Sequence, residues 1–153
     1  MSLSKIDHFN IVVSNLDRSV DFYTKVLNFS EIKRATLEGE WIDRIVGLKG
    51  VKAKVAYVRA QGGEPRIELL QYIEPLGRKV QENSQANTQG LRHFAIQIDN
   101  MDEMVDRLKA NGIQTFSHPV TVPMGVVQHD DGEKSLCYFT DPDGVIIEFA
   151  QYK

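Results

Sequence analysis

The sequence has a single cysteine, Cys137, among its 153 residues, so no disulfide bond can form within one chain. It also has no excess of charge of one sign: 18 Lys and Arg stand against 21 Asp and Glu, a formal net charge of −3 at pH 7. This balance gives no electrostatic reason to expect a nucleic acid or an anionic membrane as partner. No uncharged apolar run approaches the roughly 20 residues that a transmembrane helix needs. We therefore expect a cytoplasmic protein whose partner is a small-molecule substrate.

The sequence does contain an internal repeat. Residues 5–22 match residues 90–107 at an offset of 85, and residues 65–72 match residues 145–152 at an offset of 80. The identical pairs are His8/His93, Phe9/Phe94, Ile11/Ile96, Asn15/Asn100, Asp17/Asp102, Val20/Val105, Asp21/Asp106, Ile67/Ile147, Glu68/Glu148, Gln71/Gln151 and Tyr72/Tyr152. Self-similarity at a fixed spacing indicates repeated structural units.

The repeat predicts one domain over residues 1–153, made of module one (about 5–72), a polar linker (73–89) and module two (about 90–152). Each module has the pattern of a strand, a helix and three further strands, which is an α+β architecture. Asn15 is predicted to cap the first helix, and Gly112 follows the second. Strands are predicted at 5–13, 30–38, 51–60, 65–72, 91–98, 113–118, 134–140 and 145–151.

The second module is five residues shorter than the first between the two matched segments, because the offset falls from 85 to 80. We predict that this difference lies between the helix and the last strand, near a short helical turn at Trp41. We also expect the Trp41 segment and the loop 119–133 to flank the functional cleft.

Strand alternation places a histidine and a glutamate on the less apolar face of each module. His8 alternates with Phe9 in the first strand, and His93 alternates with Phe94 in the matching strand. Glu68 and Glu148 alternate with apolar residues in the last strands. If the two sheets face one another, these four side chains can meet.

The four side chains form a chemically coherent ligand set. Two neutral imidazoles and two carboxylates balance the charge of a divalent cation. Nitrogen and oxygen donors suit Zn, Ni, Co, Mn or Fe(II), whereas the absence of thiolates argues against a structural zinc site. The sequence therefore predicts a divalent metal cofactor bound by His8, Glu68, His93 and Glu148.

These segments resemble the vicinal oxygen chelate superfamily, which is also called the glyoxalase, bleomycin-resistance and dioxygenase family. The phrases SVDFYTKVLNF (19–29) and FTDPDGVIIEF (139–149) are the most specific carriers of the resemblance. The resemblance implies two βαβββ modules that form a cupped, open mixed barrel around a metal. The ligand positions of the family fall on the same four residues, in the His-Glu-His-Glu order of the glyoxalase I type.

The resemblance implies a lyase or isomerase that abstracts a proton next to an oxygen bound by the metal, as lactoylglutathione lyase does. Glu148 is then the expected base, with Glu68 as its catalytic partner. Three alternatives stay open: a methylmalonyl-CoA epimerase-like isomerase, an Fe(II) extradiol dioxygenase, and a non-catalytic small-molecule-binding resistance protein. We expect a homodimer, because members of the family pair their modules within a chain or across a dimer.

Other residues are assigned ordinary structural roles. Trp41 and Tyr57 are expected to pack in the core or at its rim. His118 and His129 are expected to lie in surface loops, since neither has a counterpart in the repeat. Cys137 is expected to be a buried apolar residue rather than a nucleophile.

Overall fold

The protein comprises two compact units, Met1–Lys79 and Val80–Lys153. A computed structural model describes residues 5–79, 85–123 and 132–153. Each unit contains one four-stranded mixed sheet and few helices, so the α+β class is confirmed. Within the described ranges, no helix is both long enough and apolar enough to cross a membrane.

The first unit follows the predicted order of strand, helix and three strands. Its sheet has the order β1-β4-β3-β2, in which β1 runs parallel to β4 and the other neighbours are antiparallel. The elements are β1 (His8–Val12), α1 (Leu16–Asp21) continuing into a π-helical turn (Phe22–Val26), β2 (Ser30–Glu38), α2 (Glu40–Val46), β3 (Lys52–Arg59) and β4 (Arg66–Glu74).

The second unit repeats this topology with a shorter edge strand. Its sheet has the order β5-β8-β7-β6, and β5 runs parallel to β8. The elements are β5 (His93–Gln97), α3 (Met101–Ala110), β6 (Val120–Thr121), β7 (Lys134–Thr140) and β8 (Ile146–Tyr152).

The repeat-related helices α1 and α3 each begin at an asparagine cap, as the sequence predicted for α1. Asn15 Oδ1 accepts a hydrogen bond from the backbone N–H of Arg18 at 2.9 Å. Asn100 Oδ1 accepts one from the N–H of Glu103 at 3.2 Å. Each cap satisfies a backbone donor that the helix itself leaves without a partner.

A glutamine in the last strand of each unit ties the sheet to the start of its helix. Gln71 Oε1 accepts from the backbone N–H of Leu16 at 2.9 Å, and Gln151 Oε1 accepts from that of Met101 at 3.4 Å. Gln151 Nε2 also donates to the carbonyl of Asp99 at 2.5 Å. The repeated glutamines therefore have a structural role: they fix each helix against its sheet.

The main core of each unit lies between the helix and one face of the sheet. In the first unit Leu16 and Tyr23 are buried on the helical side and Leu69 on the sheet side. In the second unit Leu108 of α3 and Phe149 of β8 are completely buried. Burial of such side chains stabilises each unit, at about 1.5–3 kcal/mol per large apolar residue.

A second apolar cluster covers the opposite face of the first sheet. Ile42 of α2 packs with Val55 and Leu70, and Tyr57 packs against the same cluster. The predicted helical turn near Trp41 is confirmed, but Trp41 itself is 53% exposed and is not a core residue. Helix α2 thus packs on the sheet face to which alternation assigns Glu68.

The strand predicted at 113–118 is wrong. Thr115 makes only an isolated bridge with Phe139, and the regular strand β6 comes later, at Val120–Thr121. Pro119 lies between these two contacts and has no N–H to donate to a ladder. The segment 113–118 therefore does not pair continuously with β7.

The cross-strand registers show where the second unit is shorter. Tyr57 lies opposite Glu68, and Tyr138 lies opposite Glu148. The two tyrosines are therefore equivalent and differ by 81 in residue number, whereas the offset is 85 at the helix and 80 at the last strand. Four of the five missing residues therefore fall between the helix and the third strand, where α2 lies in the first unit. The fifth falls in the turn that joins the last two strands. The predicted location between the helix and the last strand is confirmed.

Candidate metal centre

In the first unit, His8 and Glu68 lie side by side on neighbouring parallel strands. His8 stands in β1 two residues before Asn10, which is the register partner of Glu68 in β4. His8 Nε2 lies 3.5 Å from Glu68 Oε2. The imidazole is 37% exposed, whereas the carboxylate is 16% exposed. The pair presents one nitrogen and one oxygen donor on the same face of the sheet.

The second unit reproduces this pair with the same distance. His93 stands in β5 two residues before Ala95, the register partner of Glu148 in β8. His93 Nε2 lies 3.5 Å from Glu148 Oε2, and the Glu148 side chain is only 7% exposed. Repeat-related residues thus form the same donor pair in each unit, which strand periodicity alone had suggested.

The surroundings of His8 are acidic. Its Nδ1 lies 2.8 Å from Asp7 Oδ2, and Arg66 Nη2 lies 2.6 Å from the same oxygen. The hydrogen bond with His8 is the largest cause that lowers the pKa of Asp7 below its usual value, and the bond from Arg66 adds to it. A carboxylate on Nδ1 orients the ring and leaves Nε2 available, an arrangement common at metal-bound histidines.

Two further side chains hold Glu68. The Tyr57 hydroxyl donates a short hydrogen bond to Glu68 Oε1. Asn10 Nδ2 donates to Glu68 Oε2 at 2.8 Å. Burial, followed by the bond to Glu68, raises the pKa of Tyr57 to about 12. Tyr57 therefore remains a neutral donor over the whole physiological range of pH.

The surroundings of Glu148 are basic rather than acidic. Lys134 Nζ lies 3.7 Å from Glu148 Oε1, and the lysine side chain is 17% exposed. The Tyr138 ring lies 5.1 Å from the His93 ring, centroid to centroid. Burial, together with the neighbouring Glu148 carboxylate, raises the pKa of Tyr138. Lys134 thus compensates the charge of a nearly buried carboxylate.

The structure brings the four predicted ligands together as two pairs, one in each unit. Among residues 5–79, 85–123 and 132–153, no group of three or more His, Cys, Asp or Glu side chains is arranged to hold an ion. Each pair is therefore a candidate half-site that offers two donors. The convergence of all four ligands on one ion stays a prediction.

Sequence reasoning missed Tyr57 as a site residue and did not single out Lys134. The expected packing role of Tyr57 is incomplete, because its hydroxyl donates to Glu68. Of the two unassigned histidines, His118 is exposed, and His129 lies outside the described residues, as do positions 124–131 of the loop predicted to flank the cleft. Cys137 is buried, as expected.

The pattern of one family covers almost the whole chain. The Glyoxalase/Bleomycin resistance protein/Dioxygenase superfamily matches residues 5–149. The chain belongs to this superfamily. The resemblance inferred from residues 19–29 and 139–149 is thereby confirmed.

Individual members of the superfamily are similar to the chain at modest identity. It is 27% identical to a 2-epi-5-epi-valiolone epimerase of an Actinomyces species, over 94% of this chain and 76% of the relative. It is also 27% identical to a probable lactoylglutathione lyase of Vibrio cholerae, over 100% of this chain and 94% of the relative. A crystal structure of a glyoxalase family protein from Bacillus cereus matches 99% of this chain and 96% of that protein, with a TM-score of 0.84 and 28% identity. The relatives thus include an epimerase, a lyase and a 4-hydroxyphenylpyruvate dioxygenase of Pseudomonas aeruginosa.

Proposed function

We propose that the protein is a divalent-metal-dependent lyase or isomerase of the glyoxalase type. The observation that carries the proposal is the duplicated His–Glu pair, with an Nε2-to-Oε2 distance of 3.5 Å in each unit. A lone histidine or glutamate on a strand has many structural explanations. Two repeat-related pairs with the same geometry are better explained by a shared chemical role.

The donor set and its spacing fit a divalent ion. Two donors that each lie about 2.0–2.2 Å from one ion are roughly 3–3.6 Å apart at the usual bond angles, which includes the distance found in both pairs. His8 and His93 would supply the nitrogens, and Glu68 and Glu148 the oxygens. When bound, such an ion supplies positive charge that stabilises negative charge developing on a substrate oxygen. Zn, Ni, Co, Mn and Fe(II) are all compatible with these donors.

Proton transfer is assigned to the two carboxylates. Glu148 is the proposed base, because its side chain is nearly buried and therefore shielded from bulk water. Glu68 is proposed to act as the second acid–base group, on the opposite side of the substrate from Glu148. His8 and His93 remain ligands and take no proton in this scheme.

A half-site with two protein donors must be completed by a second half-site. The completing pair comes from the other unit of the same chain or from a second copy, so a homodimer is part of the proposal. Size-exclusion chromatography with light scattering measures the mass directly. A monomer that retains a bound ion would restrict the pairing to one chain.

An epimerase is the second candidate, because the chain is 27% identical to 2-epi-5-epi-valiolone epimerase across 94% of its length. Lyase and epimerase chemistry both remove a proton beside a carbonyl. The same pair of carboxylates can therefore serve either reaction, and the substrate decides between them.

Elemental analysis of protein purified without added metal, followed by a substrate panel, tests the proposal. The panel contains methylglyoxal mixed with glutathione, 2-epi-5-epi-valiolone, and a catechol with oxygen uptake recorded. A bound divalent ion with turnover of one of the first two compounds supports the lyase or isomerase. Iron with oxygen uptake supports a dioxygenase instead. No bound metal and no turnover would indicate a non-catalytic binding protein.

A further inference from the structure

The two oxygens of each candidate carboxylate have different neighbours. In both units Oε2 lies 3.5 Å from the Nε2 atom of the paired histidine. In both units Oε1 instead faces a side chain from the adjacent strand: Tyr57 in the first unit and Lys134 in the second. The same division of roles is thus achieved with two different residues.

In the first unit the partner of Oε1 is a neutral phenol. Tyr57 stands directly opposite Glu68 in the β3–β4 ladder, so its hydroxyl reaches the carboxylate along the sheet face. The Arg66 guanidinium lies 5.3 Å from the centre of the Tyr57 ring, and His8 meets the ring edge-on at 6.0 Å. These contacts fix the direction of the ring and hence of its hydroxyl.

In the second unit Oε1 lies beside a cation, in addition to Tyr138, the counterpart of Tyr57, which stands opposite Glu148 and hydrogen-bonds with it. Lys134 stands opposite Tyr152, and its ammonium lies 5.4 Å from the centre of the Tyr152 ring. From there it extends to Glu148, 3.7 Å from Oε1. The residue at the corresponding place in the first unit is Ala53, which stands opposite Tyr72. The lysine therefore has no counterpart in the first half-site.

The partial burial of the Lys134 side chain requires an interaction that compensates the lost hydration of its ammonium group. The side chain is 17% exposed, and removal of an ammonium from water costs free energy unless an opposite charge is close. Glu148 supplies that charge, and the aromatic ring beneath the ammonium adds a weaker attraction. The lysine is thereby held where it can act on one oxygen of the carboxylate.

We propose that Tyr57 and Lys134 are positioning residues beside Oε1 of Glu68 and Glu148, so that each carboxylate binds a divalent ion through Oε2, which in Glu68 also accepts a hydrogen bond from Asn10 Nδ2 at 2.8 Å. This inference rests on the proposed metal site. It adds that both carboxylates bind through one oxygen, and that only Glu148 has its charge offset by a neighbouring cation. The two otherwise equivalent ligands are thus made different by their strand neighbours.

Cobalt(II) binding tests the inference, with the dissociation constant and the visible absorption spectrum of the bound ion as readouts. Tyr57→Phe should weaken binding about 10- to 100-fold, as loss of an outer partner of a ligand does, and Lys134→Met should change the dissociation constant, because it removes a positive charge 3.7 Å from Glu148 Oε1. Both should also change the spectrum, because a freed Oε1 alters the coordination of the ion. Lys134→Arg should restore the wild-type spectrum, since it returns a cation to the same place.

Matched control variants remove a hydroxyl or a lysine that does not contact Glu68 or Glu148. They show whether an effect on cobalt binding is specific to Tyr57 and Lys134. Tyr72→Phe removes a hydroxyl from the same face of the first sheet. Lys52→Met removes an exposed lysine of β3 whose Nζ lies 3.5 Å from Glu74 Oε1 in β4. Both controls should bind cobalt as the wild type does. If Lys134→Met does not fold, as judged by circular dichroism, Lys134→Gln replaces it.

The outcomes distinguish this inference from the proposed function. Wild-type dissociation constants and spectra in folded Tyr57→Phe and Lys134→Met would overturn the positioning role and leave the metal site intact. Equal changes in the control variants would also overturn it. A wild-type protein that binds no cobalt would overturn the metal site and the inference together.

Discussion

The two candidate half-sites have the same His–Glu pair and an equivalent tyrosine opposite the glutamate, but their other neighbours differ. His8 and His93 occupy equivalent positions, yet the preceding residue is Asp7 in the first unit and Arg92 in the second. Asp7 contacts the His8 ring at 2.8 Å. The first half-site is therefore built around an imidazole with a carboxylate partner, which the second one lacks at the equivalent position.

The carboxylates differ in the same way. Glu68 accepts hydrogen bonds from Asn10 and Tyr57, both neutral. Glu148 instead has the Lys134 ammonium 3.7 Å away, and Ala95 stands where the first unit has Asn10. The duplicated framework fixes where the donors stand, and the residues around them set the local charge.

Glutamine substitutions at the two carboxylates test this asymmetry most strongly. Glu148→Gln should retain the fold and lose about 10²- to 10⁴-fold in turnover, because an amide cannot accept the substrate proton. Glu68→Gln should lose less. Steady-state kinetics on the substrate identified by the panel measures both. Near wild-type turnover of Glu148→Gln would remove this residue from the role of base, and equal losses would remove the asymmetry.

The next effect concerns the neighbours of the histidines. Asp7→Ala should weaken cobalt(II) binding about 10- to 100-fold, because the His8 ring loses the partner that orients it. Arg92→Ala is the matched change in the second unit and should weaken binding less. Isothermal titration measures both constants. Equal cobalt dissociation constants for the two variants would contradict the claim that Asp7 has the larger effect on its histidine.

The glutamines that anchor the helices allow a comparison of stability. Gln151→Met should lower the free energy of unfolding by roughly 1–3 kcal/mol, because it leaves the buried N–H of Met101 without its acceptor. Gln71→Met should cost less, since the bond to Leu16 is only partly buried. Urea denaturation of both variants gives the two values. A larger loss for Gln71→Met would reverse the expected order.

The smallest effect concerns the helix starts. Asp17 and Asp102 are repeat-related, but the longer edge strand of the first unit brings Arg34 to Asp17. The hydrogen bond from Arg34 lowers the pKa of Asp17 below its usual 3.8. A lowered pKa stabilises the fold above the unfolded value, and this contribution is lost as the pH falls through the folded value. Arg34→Gln should raise the Asp17 pKa, which carboxyl NMR titration detects. An unchanged pKa would contradict the role of Arg34.

Much of the fold was predictable because the local signals agreed with the global pattern. The asparagine cap at Asn15 and the strand alternation around His8 and His93 appear where the sequence indicated, and a turn that begins at Asp141 joins β7 to β8. In that turn the Asp141 carboxylate accepts from two backbone N–H groups, those of Asp143 and Val145. Short-range hydrogen bonds of this kind are determined by residues close in sequence.

The missed features depend on pairing between distant residues. The role of Tyr57 depends on the register that sets it opposite Glu68, and the sequence fixes that register only if the length of the hairpin is known. A usable signal did exist, since a tyrosine precedes the glutamate by 11 residues in one module and by 10 in the other. Lys134 gave no such signal, because it has no counterpart in the first module. Whether 113–118 forms a strand likewise depends on pairing with a distant strand, and only Thr115 forms a bridge there.

The stoichiometry of divalent metal binding tests most directly the claim that two half-sites form one centre. Cobalt(II) should bind at one ion per chain, and both His8→Ala and His93→Ala should abolish that single ion while the chain stays folded. Two ions per chain would contradict the claim, because each unit would then hold its own. A single ion that is lost in only one of the two variants would contradict it as well.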